Sequence, residues 1–202
     1  MQHVLALCAS LLLSACSSKY SQVPARLDLA PYGRIALLTF SADEPNDGMS
    51  ALVTQRFAEA LLASQSGVEL LELSSADSAL RAMPANADGA TIAQVLGKRN
   101  IPAVFVGTLK VSKVKPRGHI DASGVNVRAG MSAELTVRLL STSTGGTVWR
   151  SSSVANGTVG RLNISDRLPS IALRDKEEAY GEVVRQLIVD VTRDLRPTWV
   201  KQ

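Results

Sequence analysis

Cys16 is the residue of this 202-residue chain best placed for covalent chemistry. A largely apolar run from Val4 to Leu13 precedes it, Ser14 and Ala15 stand immediately before it, and Ser17-Ser18-Lys19 follows. The run is about ten residues long, against the roughly twenty a helix needs to cross a bilayer, so it fits the apolar region of a secretory leader. Small side chains at 14 and 15 suit a peptidase pocket that excludes bulk, with cleavage after Ala15. Export alone needs no thiol at the next position. Transfer of a diacylglycerol does, and the amine freed by cleavage can then be acylated.

Leu13-Ser14-Ala15-Cys16 resembles the lipobox of bacterial lipoproteins. The leader departs from the usual pattern in carrying His3 but no Lys or Arg ahead of the run. The resemblance implies a lipid on Cys16 and a membrane contact made through that anchor. Ser17, in place of an Asp that would retain the protein at the inner membrane, implies sorting to the outer membrane with the domain in the periplasm. Cys8 leaves with the leader and Cys16 carries lipid, so the folded domain is expected to hold neither disulfide nor free thiol. The sequons at Asn156 and Asn163 matter only in a eukaryotic secretory pathway and are read as chance.

Other catalytic material is thin. His119 is the one histidine after the leader, in a stretch read as a Gly- and Ser-rich loop, and is expected to be solvated there. A zinc site has almost no ligands to draw on. No Gly-x-Ser-x-Gly elbow occurs, and Gly145-Gly146 lacks the spacing of a phosphate loop. Glu177 and Glu178 fit the start of a helix, where carboxylates complement the dipole. The expectation is a non-enzyme without cofactor or metal.

Charge is the uneven feature. Lys98, Arg99, Lys110, Lys113, Lys115, Arg117 and Arg128 are opposed within their span by Asp121 alone, and Gly118, Gly124 and Gly130 suggest a mobile loop. Lys110, Lys113, Lys115 and Arg117 are the candidate contacts for anionic head groups or an acidic partner. The competing reading is an edge strand whose lysines discourage aggregation. Aromatic residues do not interleave with these charges, which argues against a nucleic-acid platform. A net charge of +4 is mild for the length.

The elements that must carry these residues follow from periodicity. Residues 1–15 are the leader, 16–33 a short flexible tether, and 34–202 one domain; removing the leader leaves roughly 190 residues, enough for a single core. Arg34–Phe40 and Val68–Leu73 read as buried strands, and Met49–Ser64 as an amphipathic helix. A looser helical stretch, Ala76–Met83, and a helix over Ala90–Lys98 precede an apolar strand from Ala103. Met131–Leu139 alternates apolar and polar residues, Ser141–Gly146 is a turn, and Thr147–Arg150 starts the returning strand. A Gly- and Ser-rich loop then leads to a helix with a stripe from Val183 to Leu195, which Pro197 ends. The fold class expected is α/β (α+β): one domain, a mixed sheet with a β-α-β-α-β opening, an antiparallel hairpin and a C-terminal packing helix.

Three phrases carry a wider resemblance: Arg34-Ile-Ala-Leu-Leu-Thr-Phe40 before a polar loop and helix, Ile92–Gly107 as a helix running into an apolar strand, and Thr142–Trp149 as a turn followed by Val-Trp. In order and spacing they resemble lipoproteins related to the curli secretion protein CsgG. The broad fold of that group is shared by the penicillin-binding-protein activator LpoB and the N-terminal domain of TolB. The resemblance implies a non-catalytic binding or assembly component of the cell envelope with an envelope protein as partner, oligomerisation being open; the alternative is a subunit of a ring-forming secretion channel. No functional residue carries over. A channel subunit of this family has two membrane hairpins. The best candidate strand, Ala103–Val114, runs into Lys110, Lys113 and Lys115, and a charge on a lipid-facing side costs about 2–4 kcal/mol near mid-bilayer. An activator of the LpoB type has a long leash, and this tether is short.

Overall fold

The computed structural model describes residues 20–43, 48–74, 77, 88–112, 115–121, 124–165, 168–173 and 176–201 of the chain, with the backbone alone over 115–121, 124–129, 159–165, 168–173 and 176–179. Strand β2 (Arg34–Leu38) lies between β4 (Glu69–Leu73) and β5 (Ala103–Val111), parallel to both. Such pairings require crossovers, and helices α1 (Met49–Ser64) and α2 (Gly89–Gly97) lie on the two connections. Ile35, Ala36 and Leu37 are all inaccessible to solvent, as are Ala103, Val104 and Phe105. Their continuous apolar runs reflect a sheet covered on both faces at this point.

From β5 onward the sheet is antiparallel. β5 pairs with β7 (Gly124–Ser141), β7 with β8 (Thr147–Ser165), and β8 with β9 (Leu168–Leu173). The short β3 (Ser41–Ala42) runs beside β5, and β6 (Lys115–Asp121) continues along the edge of β7 that β5 leaves free. Helix α3 (Lys176–Val191) closes the core against β7, β8 and α1. The result is one mixed α+β domain around a mixed sheet, with a C-terminal packing helix, as the sequence predicts.

Two apolar clusters hold the layers. The larger joins α1, α3 and one face of the sheet through Val53, Phe57, Leu61, Leu135, Val183, Leu187 and Val191. Its aromatic spine runs Phe40–Phe57–Phe105–Trp149, with ring centroids 5.4, 5.2 and 6.1 Å apart. A Cβ on Gly107 would stand 2.5 Å from the Phe40 ring, so only glycine lets that spine meet the sheet. The smaller cluster seats α2 on the opposite face through Ala36, Leu96, Ile101, Val104 and Leu140.

Residues 20–33, expected as a flexible tether, are ordered. β1 (Tyr20–Val23) pairs antiparallel with β10 (Thr198–Lys201), and Leu29 is fully buried ahead of a short 3-10 helix at Ala30–Tyr32. Gln65 fixes this segment. Its side chain accepts from the Leu29 amide at 3.0 Å and donates to the carbonyls of Leu27 and Leu195 at 3.0 and 2.7 Å. Composition alone hides such a clasp, because the partners lie 36 and 130 positions away in the chain. The expected helix at Ala76–Met83 lies outside the described residues except at Asp77.

The Gly- and Ser-rich stretches expected as loops are strands. β7 and β8 extend well past β5 and, with β6 and β9, form a four-stranded extension of the sheet. Register rows across it join Gly118, Val127, Leu162 and Ile171, then Ile120, Val125, Ile164 and Pro169, so one face carries an apolar series. The other face carries Arg117, Arg128 and Arg161 in one row and His119, Asn126, Asn163 and Ser170 in the next. A bulge makes this possible. Ala129 faces Gly160 while Gly130 faces Thr158, leaving Val159 unpaired and shifting the parity of β8 by one residue. Pro116 and Pro169 sit in the two outer strands, where a missing N–H disrupts no inner ladder.

Candidate functional site

The residues singled out for chemistry do not converge. Ala15, Cys16 and Lys113 lie outside the described residues. Lys110 is exposed near the end of β5, opposite Glu134 in register, so the cross-strand neighbour of this lysine is an acid. Lys115 and Arg117 lie in β6, not in a loop, and His119 follows them in the same strand. Lys98 and Arg99 end α2, where the Arg99 guanidinium lies 3.2 Å from Asp77.

The basic span therefore divides. Arg117 and Arg128 become cross-strand neighbours, and Arg161, which the sequence reading passed over, completes their row. Like charges directly opposite one another on a sheet are destabilising unless an anion or solvent separates them. The signal was present as alternation in Val125-Asn-Val-Arg128 and in Leu162-Asn-Ile164. It was masked by the glycines on either side and by the parity change at Val159.

An open groove of about 840 Å³ lies between α1 and α3. Leu52, Ala60, Val184 and Ile188 form its apolar floor, and Arg56 and Arg185 stand at its rim. Both rim arginines are engaged by their own helices, Arg56 with Glu59 at 2.8 Å and Arg185 with Glu182 at 2.6 Å. The hydrogen bond from Arg56 holds the Glu59 carboxyl below its ordinary value, and the bond to Glu182 pushes the Arg185 guanidinium up. These are exposed pairs in which each charge stays as it would be in water. The groove has the form of a seat for apolar side chains and contains no proton-transfer pair.

Among the described residues no three of His, Cys, Asp and Glu come together in a way that could hold a metal ion. Among them also, no helix is long and apolar enough to cross a membrane.

No family model matches the chain, and no curated protein matches it. Solved structures with a similar course include the PelC dodecamer from Paraburkholderia phytofirmans, at 13% identity over 88% of this chain and 97% of that chain, with a TM-score of 0.49. Lipoprotein GNA1162 from Neisseria meningitidis is similar at 12% identity over 76% of this chain and 93% of that one, TM-score 0.41. The LpoB C-terminal domain from Salmonella enterica is similar at 12% identity over 72% and 90%, TM-score 0.38. At this level of similarity neither a family nor a function follows.

Proposed function

We propose that the protein is a lipid-anchored component of the bacterial cell envelope, held at the outer membrane with its domain in the periplasm, and that it binds or assembles other envelope components without catalysing a reaction. The observation that carries this reading is Leu13-Ser14-Ala15-Cys16, standing four residues ahead of the first strand of an ordered domain. The apolar groove between α1 and α3 and the register row of Arg117, Arg128 and Arg161 support a binding role. Replacing Cys16 by Ala is expected to move the protein from the membrane to the soluble fraction and to change its electrophoretic mobility. Retention in the membrane with unchanged mobility would sink the reading.

A second reading, a subunit of an oligomeric channel, is favoured by the extension formed by β6 to β9. One apolar and one polar face on adjacent strands is the pattern of a membrane β-barrel wall. Two facts rank it second. Within the extension its strands are six or seven residues long and rise roughly 20–24 Å, or about 15–18 Å at a barrel's tilt, short of the ~25 Å apolar band. Pro116 and Pro169 also remove donors from the two edges through which copies would have to pair. Sizing of the detergent-extracted protein separates the readings. A ring of many copies that Leu162→Arg disperses and Asn163→Arg leaves intact supports the channel; a monomer or dimer supports the first reading.

A further inference from the structure

The ribbon of β1 and β10 lies open to solvent. All eight of its residues except Ser21 are exposed. Among the described residues, it carries four of the eight large apolar side chains that face water: Tyr20 at 59% exposure, Val23 at 43%, Trp199 at 65% and Val200 at 51%. Register places Tyr20 opposite Lys201 and Gln22 opposite Trp199, so both aromatic residues share one face with Lys201. An isolated two-stranded ribbon is marginal in water, and this one has no core of its own.

We propose that the ribbon is a membrane-docking element that lies on the anionic lipid head groups surrounding the anchor. The inference rests on lipidation of Cys16, proposed above. Four residue steps separate Cys16 from Tyr20, a reach of about 14 Å at full extension, so the tip of the ribbon cannot leave the vicinity of the head groups. The ribbon itself is roughly 14 Å long, and lying flat it stays within that zone throughout. Tyr and Trp have the chemistry of this boundary: an apolar ring for the acyl region and a polar edge for the head groups. Lys201 at the tip supplies positive charge where anionic lipid is met. The same contact covers the rings of Tyr20 and Trp199, which the fold leaves open. Docking then fixes the orientation of the domain on the membrane, which a flexible tether would not.

Trp199 is its own reporter. The other tryptophan, Trp149, lies edge-on to Phe105 with its indole nitrogen buried, so the difference between the natural protein and Trp199→Phe isolates the ribbon. The experiment uses the full lipidated chain reconstituted in phosphatidylethanolamine–phosphatidylglycerol vesicles, with and without bromine on the acyl chains. The expected result is that the protein floats with the vesicles and the Trp199 emission moves to the blue, loses most of its intensity to bromine and resists aqueous acrylamide. If the protein floats while Trp199 keeps a red, acrylamide-quenched emission, docking is overturned and the anchor stands. Blue emission untouched by bromine also overturns it, because the ribbon is then covered by protein, such as a second copy. Failure to float overturns the anchor reading and the docking with it.

Discussion

At the scale of single residues, polar side chains decide how the ends of the chain are tied down. Gln65 is nearly buried and satisfies one amide and two carbonyls from opposite ends of the chain. Gln65→Leu keeps much of the volume and leaves all three backbone groups unpaired, an expected loss of about 2–4 kcal/mol. Urea unfolding should show it as a lower midpoint with an unchanged slope. Asp88 caps α2 by accepting from the Thr91 amide at 2.8 Å. That backbone hydrogen bond, then the Thr91 hydroxyl, holds the Asp88 carboxyl below its ordinary value. With the folded value the lower of the two, the cap contributes in full above the unfolded carboxylate's pKa and is lost as pH falls through the folded one. NMR titration of the Thr91 amide should follow that loss. Asp88→Asn should keep the cap and abolish the acid-side movement.

At the scale of elements, one unpaired residue sets the character of the sheet extension. The bulge at Val159 is what puts Leu162 and Ile164 on the same face as Val125 and Val127. Inserting one alanine after Gly160 moves the pairing beyond the bulge by one residue and sends Arg161 and Asn163 to that face instead. The expected outcome is loss of pairing between β7, β8 and β9 beyond the bulge, while the body held by α1 and α3 stays folded. Brief trypsin digestion, resolved by mass spectrometry, should then cut after Arg128 and Arg161 several-fold faster than in the natural chain. Cuts after Arg56 and Arg185 should not accelerate. A helix can slip without exchanging its faces, but a strand cannot, which is why a single insertion is enough here.

At the scale of the whole molecule, the core and the ribbon are separable. The core clusters draw on residues from Leu29 to Leu195 and include none from β1 or β10. Ending the chain at Pro197 should therefore change global stability by less than about 1 kcal/mol. Residues 20–23 would lose their partner strand, so chymotryptic cleavage after Tyr20 should accelerate. A large fall in the urea midpoint would mean that the ribbon is structural, and its exposed Tyr20 and Trp199 would need another explanation.

Local patterning by itself determined the β-α-β opening, the strand at Met131–Leu139 and the packing helix before Pro197. In each of them the apolar period is uninterrupted over its whole length, and burial on one face follows from period alone. Tertiary structure decided the rest. It turned residues 20–33 from apparent linker into a clasp, because Leu29 and Gln65 acquire their partners from distant parts of the chain. It also turned glycine-rich stretches into paired strands and gathered Arg117, Arg128 and Arg161 into one row, because cross-strand register is a relation between segments that no single segment contains.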